Sequence, residues 1–99
     1  MRQVFWLRRA TRSLSSILQQ ISEDNPQAAK RLGLAIQKHI ALLSDQPNMG
    51  RAGRVLGTRE LVVHKNYLVP YRVRADRIEI LHVLHARLQW PSTLDEMDP

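Results

Sequence analysis

Two apolar stretches at helical spacing stand back to back across residues 22–26, and runs with a period of two follow them to residue 84. Leu7, Ala10, Leu14, Ile17, Leu18 and Ile21 recur three or four residues apart, which places them on one face of a helix that should end near Ser22. Asn25 can accept the first free backbone N–H groups of a second helix, and Pro26 is well tolerated at its first position. The apolar face of that helix is Ala29, Leu32, Ile36, Ile40 and Leu43, with Leu34, Ala35 and Leu42 expected to widen it, and Gln46-Pro47 closes it. Two adjacent amphipathic helices of this kind need a sheet to cover.

The sheet is read from the period of two. Met1 to Leu7, with Val4, Phe5 and Trp6, reads as an opening strand whose tryptophan belongs to the core. Residues 47–57 hold Gly50, Gly53 and Gly57, show no period and read as a loop. Leu61 and Val63, then Tyr67, Val69, Tyr71 and Val73, then Ile78, Ile80, His82 and Leu84 alternate with other residues. Only Ala75 and Asp76 part the last two runs, so these should pair as a tight antiparallel hairpin. Pro70 cannot donate to a ladder and should sit on an edge or at a bulge. The expected fold class is α+β: an N-terminal strand, an α-helical hairpin, and a three-stranded antiparallel run in one sheet covered by the helices. A chain of 99 residues has room for one such domain, placed at residues 1–90, with an acidic, flexible tail at 91–99.

Composition narrows the chemistry. There is no cysteine, hence no disulfide, thiolate metal site or cysteine nucleophile, which suits a cytoplasmic protein. Apolar runs fall far short of the roughly 20 residues needed to cross a bilayer, so no membrane role is expected. Residues 1–22 contain Arg2, Arg8, Arg9 and Arg12 and no acid, as a transit peptide would; their strand and helix patterns assign them to the folded core instead. Charge is concentrated later. Residues 51–90 hold Arg51, Arg54, Arg59, Lys65, Arg72, Arg74, Arg77 and Arg87 against Glu60, Asp76 and Glu79, a local balance of +5 in a chain of net +6. A solvated basic surface explains the excess but not the preference for arginine, which suits bidentate contact with phosphates and carboxylates. The expected partner is anionic, met on the sheet face away from the helices.

This order of elements, with Gly50-Arg51-Ala52-Gly53-Arg54, Gly57-Thr58-Arg59-Glu60-Leu61, Tyr71-Arg72-Val73 and Ile78-Glu79-Ile80-Leu81-His82-Val83-Leu84-His85, resembles the RelE/ParE toxins over nearly the whole chain. The resemblance implies a cytoplasmic, growth-arresting toxin of a type II toxin–antitoxin pair, in a hetero-oligomer with a cognate antitoxin that silences it. It also implies one of two targets. ParE-like toxins poison DNA gyrase, the reading preferred here; RelE-like toxins cut mRNA in the ribosome. A non-toxic nucleic-acid-binding domain is a further alternative.

Candidate residues follow from both lines. RNA cleavage needs a base, an acid and cations for the developing phosphorane charge. His85 would serve as base or acid if the chain is a nuclease; otherwise it is a structural histidine at a strand end. Target contact is assigned to Arg51, Arg54, Arg59, Arg72, Arg74, Arg87 and Trp90. Arg59 and Arg72 lead because they occupy family motif positions, although salt bridges to Glu60 or Glu79 would account for them too. Trp90 can stack on a base, or pack against the core or an antitoxin. His82 should face away from His85 and be packed, and His39 and His64 lack metal-like spacing; no metal and no cofactor are expected. The sequence departs from the RelE nuclease pattern in having arginines where lysines are typical and no tyrosine after His85.

Overall fold

A computed structural model describes residues 2–87. Strand β1 (Gln3–Trp6) leads into helices α1 (Arg8–Asp24) and α2 (Pro26–Ala41), and a 3-10 turn (Leu42–Ser44) follows. Then come β2 (Arg51–Ala52), β3 (Arg59–His64), β4 (Tyr67–Val73), β5 (Arg77–Ile80) and β6 (Leu84–His85). The sheet order is β1-β5-β4-β3-β2, with β6 also on β4. β1 runs parallel to β5, which a long crossover through the helical hairpin makes possible, and every other pair is antiparallel. The α+β arrangement expected from the sequence is the one observed.

The helical hairpin turns in one residue. Asn25 closes α1 by donating its N–H to the Ile21 carbonyl (2.8 Å) and opens α2 by accepting from Ala28 N on its side chain (3.0 Å). Satisfying both helix ends at one position lets α1 run to Asp24, past the expected stop at Ser22. Ala10 and Leu14 of α1 and Leu32, Ile36 and Ile40 of α2 meet Leu61, Val63, Val69, Tyr71, Ile78 and Ile80 of the sheet in one core, with Trp6 packed against it. Leu34 and Leu42 do not widen the α2 stripe, being 63% and 45% exposed. Leu34 lies two residues from both Leu32 and Ile36, about 200° round the helix, and so faces away from the core.

The strands differ from the expected three in two places. Arg51 and Ala52, inside the predicted loop, pair with Glu60 and Arg59 to form β2. The last run divides, because Tyr71 pairs with Ile80 but Leu68 pairs with Leu84, so Val69-Pro70 is opposed by Leu81-His82-Val83. Pro70 causes the mismatch to fall there. Its carbonyl accepts from Leu81 N (3.0 Å), so the N–H it lacks would have pointed to the same side, and the ladder is interrupted on that side alone. A proline can therefore stand buried in a central strand. The Ala75-Asp76 turn forms as expected, closed by Arg74 N on the Arg77 carbonyl (2.8 Å).

Candidate functional site

Alternation along the strands gives the sheet two unlike faces. Val4 and Trp6 of β1, Ile78 and Ile80 of β5, and Val69, Tyr71 and Val73 of β4 point to the helices. The opposite face presents Phe5, Arg77, Glu79, Arg72 and Glu60, and beyond them a small apolar cluster of Leu68, Leu84 and Val55.

The hairpin β4–β5 builds an arginine cluster on that outer face. Glu79 is 9% exposed, and its Oε1 lies 3.3 Å from both Arg72 Nε and Arg74 Nε, while its Oε2 accepts from Arg77 Nε at 3.0 Å. Burial pushes the Glu79 carboxyl up, but the hydrogen bonds from Arg77 and Arg74, with the charges of Arg74 and Arg72, hold it below the usual carboxylate range. It is ionised near neutral pH and gathers three guanidiniums, with the exposed Asp76 3.6 Å from Arg77. The Arg77 guanidinium lies 6.0 Å from the centre of the exposed Phe5 ring, the outer limit of a cation–π contact. Cations beside an aromatic plate suit an anionic or nucleic-acid-bound partner. Arg77 and Phe5 were absent from the sequence-based set, although the alternation around Glu79 put Arg77 on the same face.

A second carboxylate organises the loop before β3. Tyr71 accepts from Gly50 N (2.8 Å) and donates to the Pro47 carbonyl (2.7 Å) from inside the core. A Cβ at Gly50 would stand 2.7 Å from the Tyr71 ring and 2.9 Å from the Glu60 carbonyl oxygen, so only glycine fits. Arg59 Nη1 donates to the Gly50 carbonyl (2.7 Å) and the Asn48 carbonyl (3.3 Å). Glu60, 2% exposed, takes Arg51 Nη2 on Oε1 (3.2 Å) and the Arg54 backbone N–H on Oε2 (3.0 Å), with Arg54 Nε at 3.6 Å. Gly57, at φ 84°, makes the turn back into β3.

Arg59 and Arg72 therefore stand on opposite sheet faces, since Arg59 pairs with Tyr71 and Arg72 with Glu79. Arg72 and Arg74 are brought together; Arg51 and Arg54 form a separate group on the loop. Arg87 is exposed in the turn after β6. Trp90 and the acidic tail lie outside the described residues.

His85 belongs to a different corner. It meets Tyr67 edge-on with ring centres 5.3 Å apart, and His64 lies 5.8 Å away on the same tyrosine. Its Nδ1 accepts from Arg87 N (3.1 Å), as His64 Nδ1 does from Asn66 N (3.2 Å). Tyr67 of β4 reaches His85 through a strand pairing that lies beyond the bulge at residues 81–83. His82 is packed, 6% exposed, and His39 bonds the Ala35 carbonyl one helical turn back (2.8 Å). Burial holds the Tyr71 phenol above its ordinary pKa despite Gly50 and Arg59, so it stays a neutral structural group. Among the described residues no three of His, Asp and Glu come together as a metal site.

Comparison with known proteins places this geometry. Residues 4–90 match the family model described as ParE toxin of type II toxin–antitoxin system, parDE. Y4kP of Sinorhizobium fredii, a protein named as a candidate toxin, is 42% identical over 94% of this chain and 97% of its own length. Toxin RelE2 of Caulobacter vibrioides is 34% identical over 87% of this chain and 97% of its own. Among solved structures, a chain of the chromosomal ParDE TA system from P. aeruginosa superimposes with a TM-score of 0.77 at 25% identity, covering 86% of this chain and 96% of that one. A chain of the E. coli DinJ–YafQ toxin–antitoxin complex shares the fold at 11% identity and a TM-score of 0.59, over 85% and 91% of the two chains.

Proposed function

The chain belongs to the ParE toxin family and is a toxin of a type II toxin–antitoxin system, and from that premise we propose that it arrests growth by binding DNA gyrase, without chemistry of its own, until a cognate antitoxin covers it. The observation that carries the choice of target is the separation of His85 from the arginine cluster on Glu79. An RNA-cleaving centre needs a proton-transfer group and phosphate-holding cations around one reacting atom. Here Arg72, Arg74 and Arg77 surround Glu79 on the outer face, whereas His85 pairs with Tyr67, whose side chain packs with the helix-side core. A binding surface has no such requirement for convergence. Arg72 and Arg74, with Arg77 and Phe5 beside them, form the contact for gyrase or its DNA, and Arg51, Arg54 and Arg87 extend the basic surface, while Arg59 on the other face ties down the loop at Asn48 and Gly50. Both candidate targets place the action in the cytoplasm, and no helix among the described residues is long and apolar enough to cross a membrane.

One observation favours ribosome-dependent mRNA cleavage as a second reading. His64, Tyr67 and His85 form a row of rings in which two imidazoles could share acid and base roles. Induced expression in a bacterial host separates the two. Gyrase-linked DNA breaks and an SOS response with intact transcripts are expected, unchanged in a folded His85→Ala variant. New transcript 5′ ends that depend on translation, and vanish in His85→Ala, would replace the gyrase reading with the nuclease one.

A further inference from the structure

The outer sheet face near the β4–β5 turn is laid out as a grid. Phe5, Glu79 and Arg72 are register partners in one row across β1, β5 and β4. Gln3 and Arg77 stand in the next row, where the Arg74 backbone N–H closes the turn onto the Arg77 carbonyl. All of them project from one face, because they alternate with the helix-side Val4, Ile78 and Val73. Two strand spacings by two residues make this surface about 10 Å across and about 7 Å along the strands. Arg2, just before β1, joins it by donating from Nε to the Arg74 carbonyl (2.9 Å). The other three arginines are also tied down through Nε. Arg74 and Arg77 donate to Glu79 (3.3 and 3.0 Å), and Arg72 Nε lies 3.3 Å from the same carboxylate. Among the described residues the terminal Nη groups of these four make no hydrogen bond, and only Arg77 Nη1 meets a carboxylate, the exposed Asp76 at 3.6 Å. Arg51 and Arg59 are the opposite case, with Nη2 engaged by Glu60 and Nη1 by the Gly50 and Asn48 carbonyls. These two use their forks to hold the fold, whereas the grid arginines are oriented by one nitrogen and keep their forks open.

A guanidinium anchored at Nε still has two parallel N–H bonds at its free end, the geometry that two phosphate oxygens accept. Four such ends within one small area exceed what a single carboxylate side chain takes, and suit successive phosphates of a polynucleotide. The aromatic ring in the same row decides which form of polynucleotide fits. Phe5 is 47% exposed, has the Arg77 guanidinium 6.0 Å from its centre, and lines a hollow of about 440 Å3 with Arg2, Gln3, Val4 and Ser44. Such a ring offers little to a base inside a duplex, whose faces are already stacked, but an unpaired base can lie on it. We propose that this face binds single-stranded DNA, with one base stacked on Phe5 in the hollow and the neighbouring phosphates held by the free ends of Arg2, Arg72, Arg74 and Arg77. The proposal rests on the gyrase reading and deepens it, since it makes the DNA, rather than the gyrase protein, what the arginine cluster touches.

Fluorescence anisotropy of the full chain with a labelled oligodeoxythymidylate of about 10 nucleotides, within the range of site sizes of single-strand binders, reads the affinity directly. The single strand should bind more tightly than the same strand annealed to its complement. Phe5→Ala and Phe5→Leu should each weaken it by about fivefold to a hundredfold, the range for one base stacked on an aromatic ring, and Phe5→Trp should keep or improve it. Arg74→Gln should lower the slope of log affinity against log salt by about one, as the loss of a phosphate contact does. Lys30→Gln, which removes the same charge from an exposed position on α2, should leave that slope unchanged. Equal affinity of wild type and both weakened Phe5 variants overturns the proposal, as does equal affinity for single strand and duplex, or one slope shared by Arg74→Gln and Lys30→Gln. Tighter binding of oligouridylate than of oligodeoxythymidylate overturns it in favour of RNA. Absence of DNA binding by the wild type overturns it in favour of an acidic protein surface. The gyrase reading stands or falls separately, on whether induced expression gives gyrase-linked DNA breaks.

Discussion

Glu60 and Glu79 are both buried carboxylates bound by arginines on adjoining parts of one sheet face, yet they do different work. Glu60 accepts a backbone N–H from the loop as well as the Arg51 and Arg54 side chains, so it fastens that segment together with Tyr71, Arg59 and the short β2–β3 pairing. Glu79 accepts only side chains, all from the hairpin that holds it, and the strands would pair without them. The first carboxylate fastens a loop; the second concentrates positive charge. What separates them is whether the ionic contact also closes the chain.

Removing each carboxylate tests that difference. Glu60→Ala should cost about 2–3 kcal/mol, the range for hydrogen bonds to a charged group, because the loop loses its side-chain and backbone anchors together. Urea unfolding gives the number, and loss of protection at the Arg54 amide in hydrogen exchange locates it. A cost no larger than that of Glu79→Ala would erase the distinction. Tyr71→Phe attacks the same loop from the core side, freeing Gly50 N and the Pro47 carbonyl, and should cost about 1–2 kcal/mol without altering the arginine cluster on Glu79.

The smallest effect on stability is expected at Glu79. Its arginine partners are 37%, 48% and 43% exposed, so the contacts are screened, and Glu79→Gln should cost about 1 kcal/mol or less. The pH dependence has a definite sign. Because the folded-state pKa is depressed, the contribution of Glu79 is fully present above its unfolded value near 4.5 and is lost as pH falls through the lower folded value. Wild type and Glu79→Gln should therefore converge in stability below that window and differ most above it. Near neutral pH the variant, with three guanidiniums no longer offset, should bind heparin or DNA more tightly and with a steeper salt dependence. An unchanged salt slope would mean that the cluster does not act as a unit.

Much of this was legible in the sequence for one reason: periodicity is a local property. The helix faces, the capping Asn25, the two-residue turn at Ala75-Asp76 and the packed state of His82 follow from spacings within a few residues. The overestimated width of the α2 stripe was a misreading of the same signal, since Leu34 lies on the far side by helix geometry alone. Even Pro70 announced an edge or a bulge, and the pairing shifts opposite it.

What the sequence determined, then, is the set of elements, the basic character of residues 51–90 and the family to which the order of motifs points. Only the tertiary structure decided which of those residues meet. Arg59 and Arg72 part to opposite faces, Tyr67 comes to His85, Arg77 joins Arg72 and Arg74, and Ser13 meets a histidine 69 positions away. Each of these depends on strand register, and register here passes through a bulge that shifts the pairing by one residue. A one-residue slip reverses every side chain beyond it, so no count along the chain could assign those faces until the strands were paired.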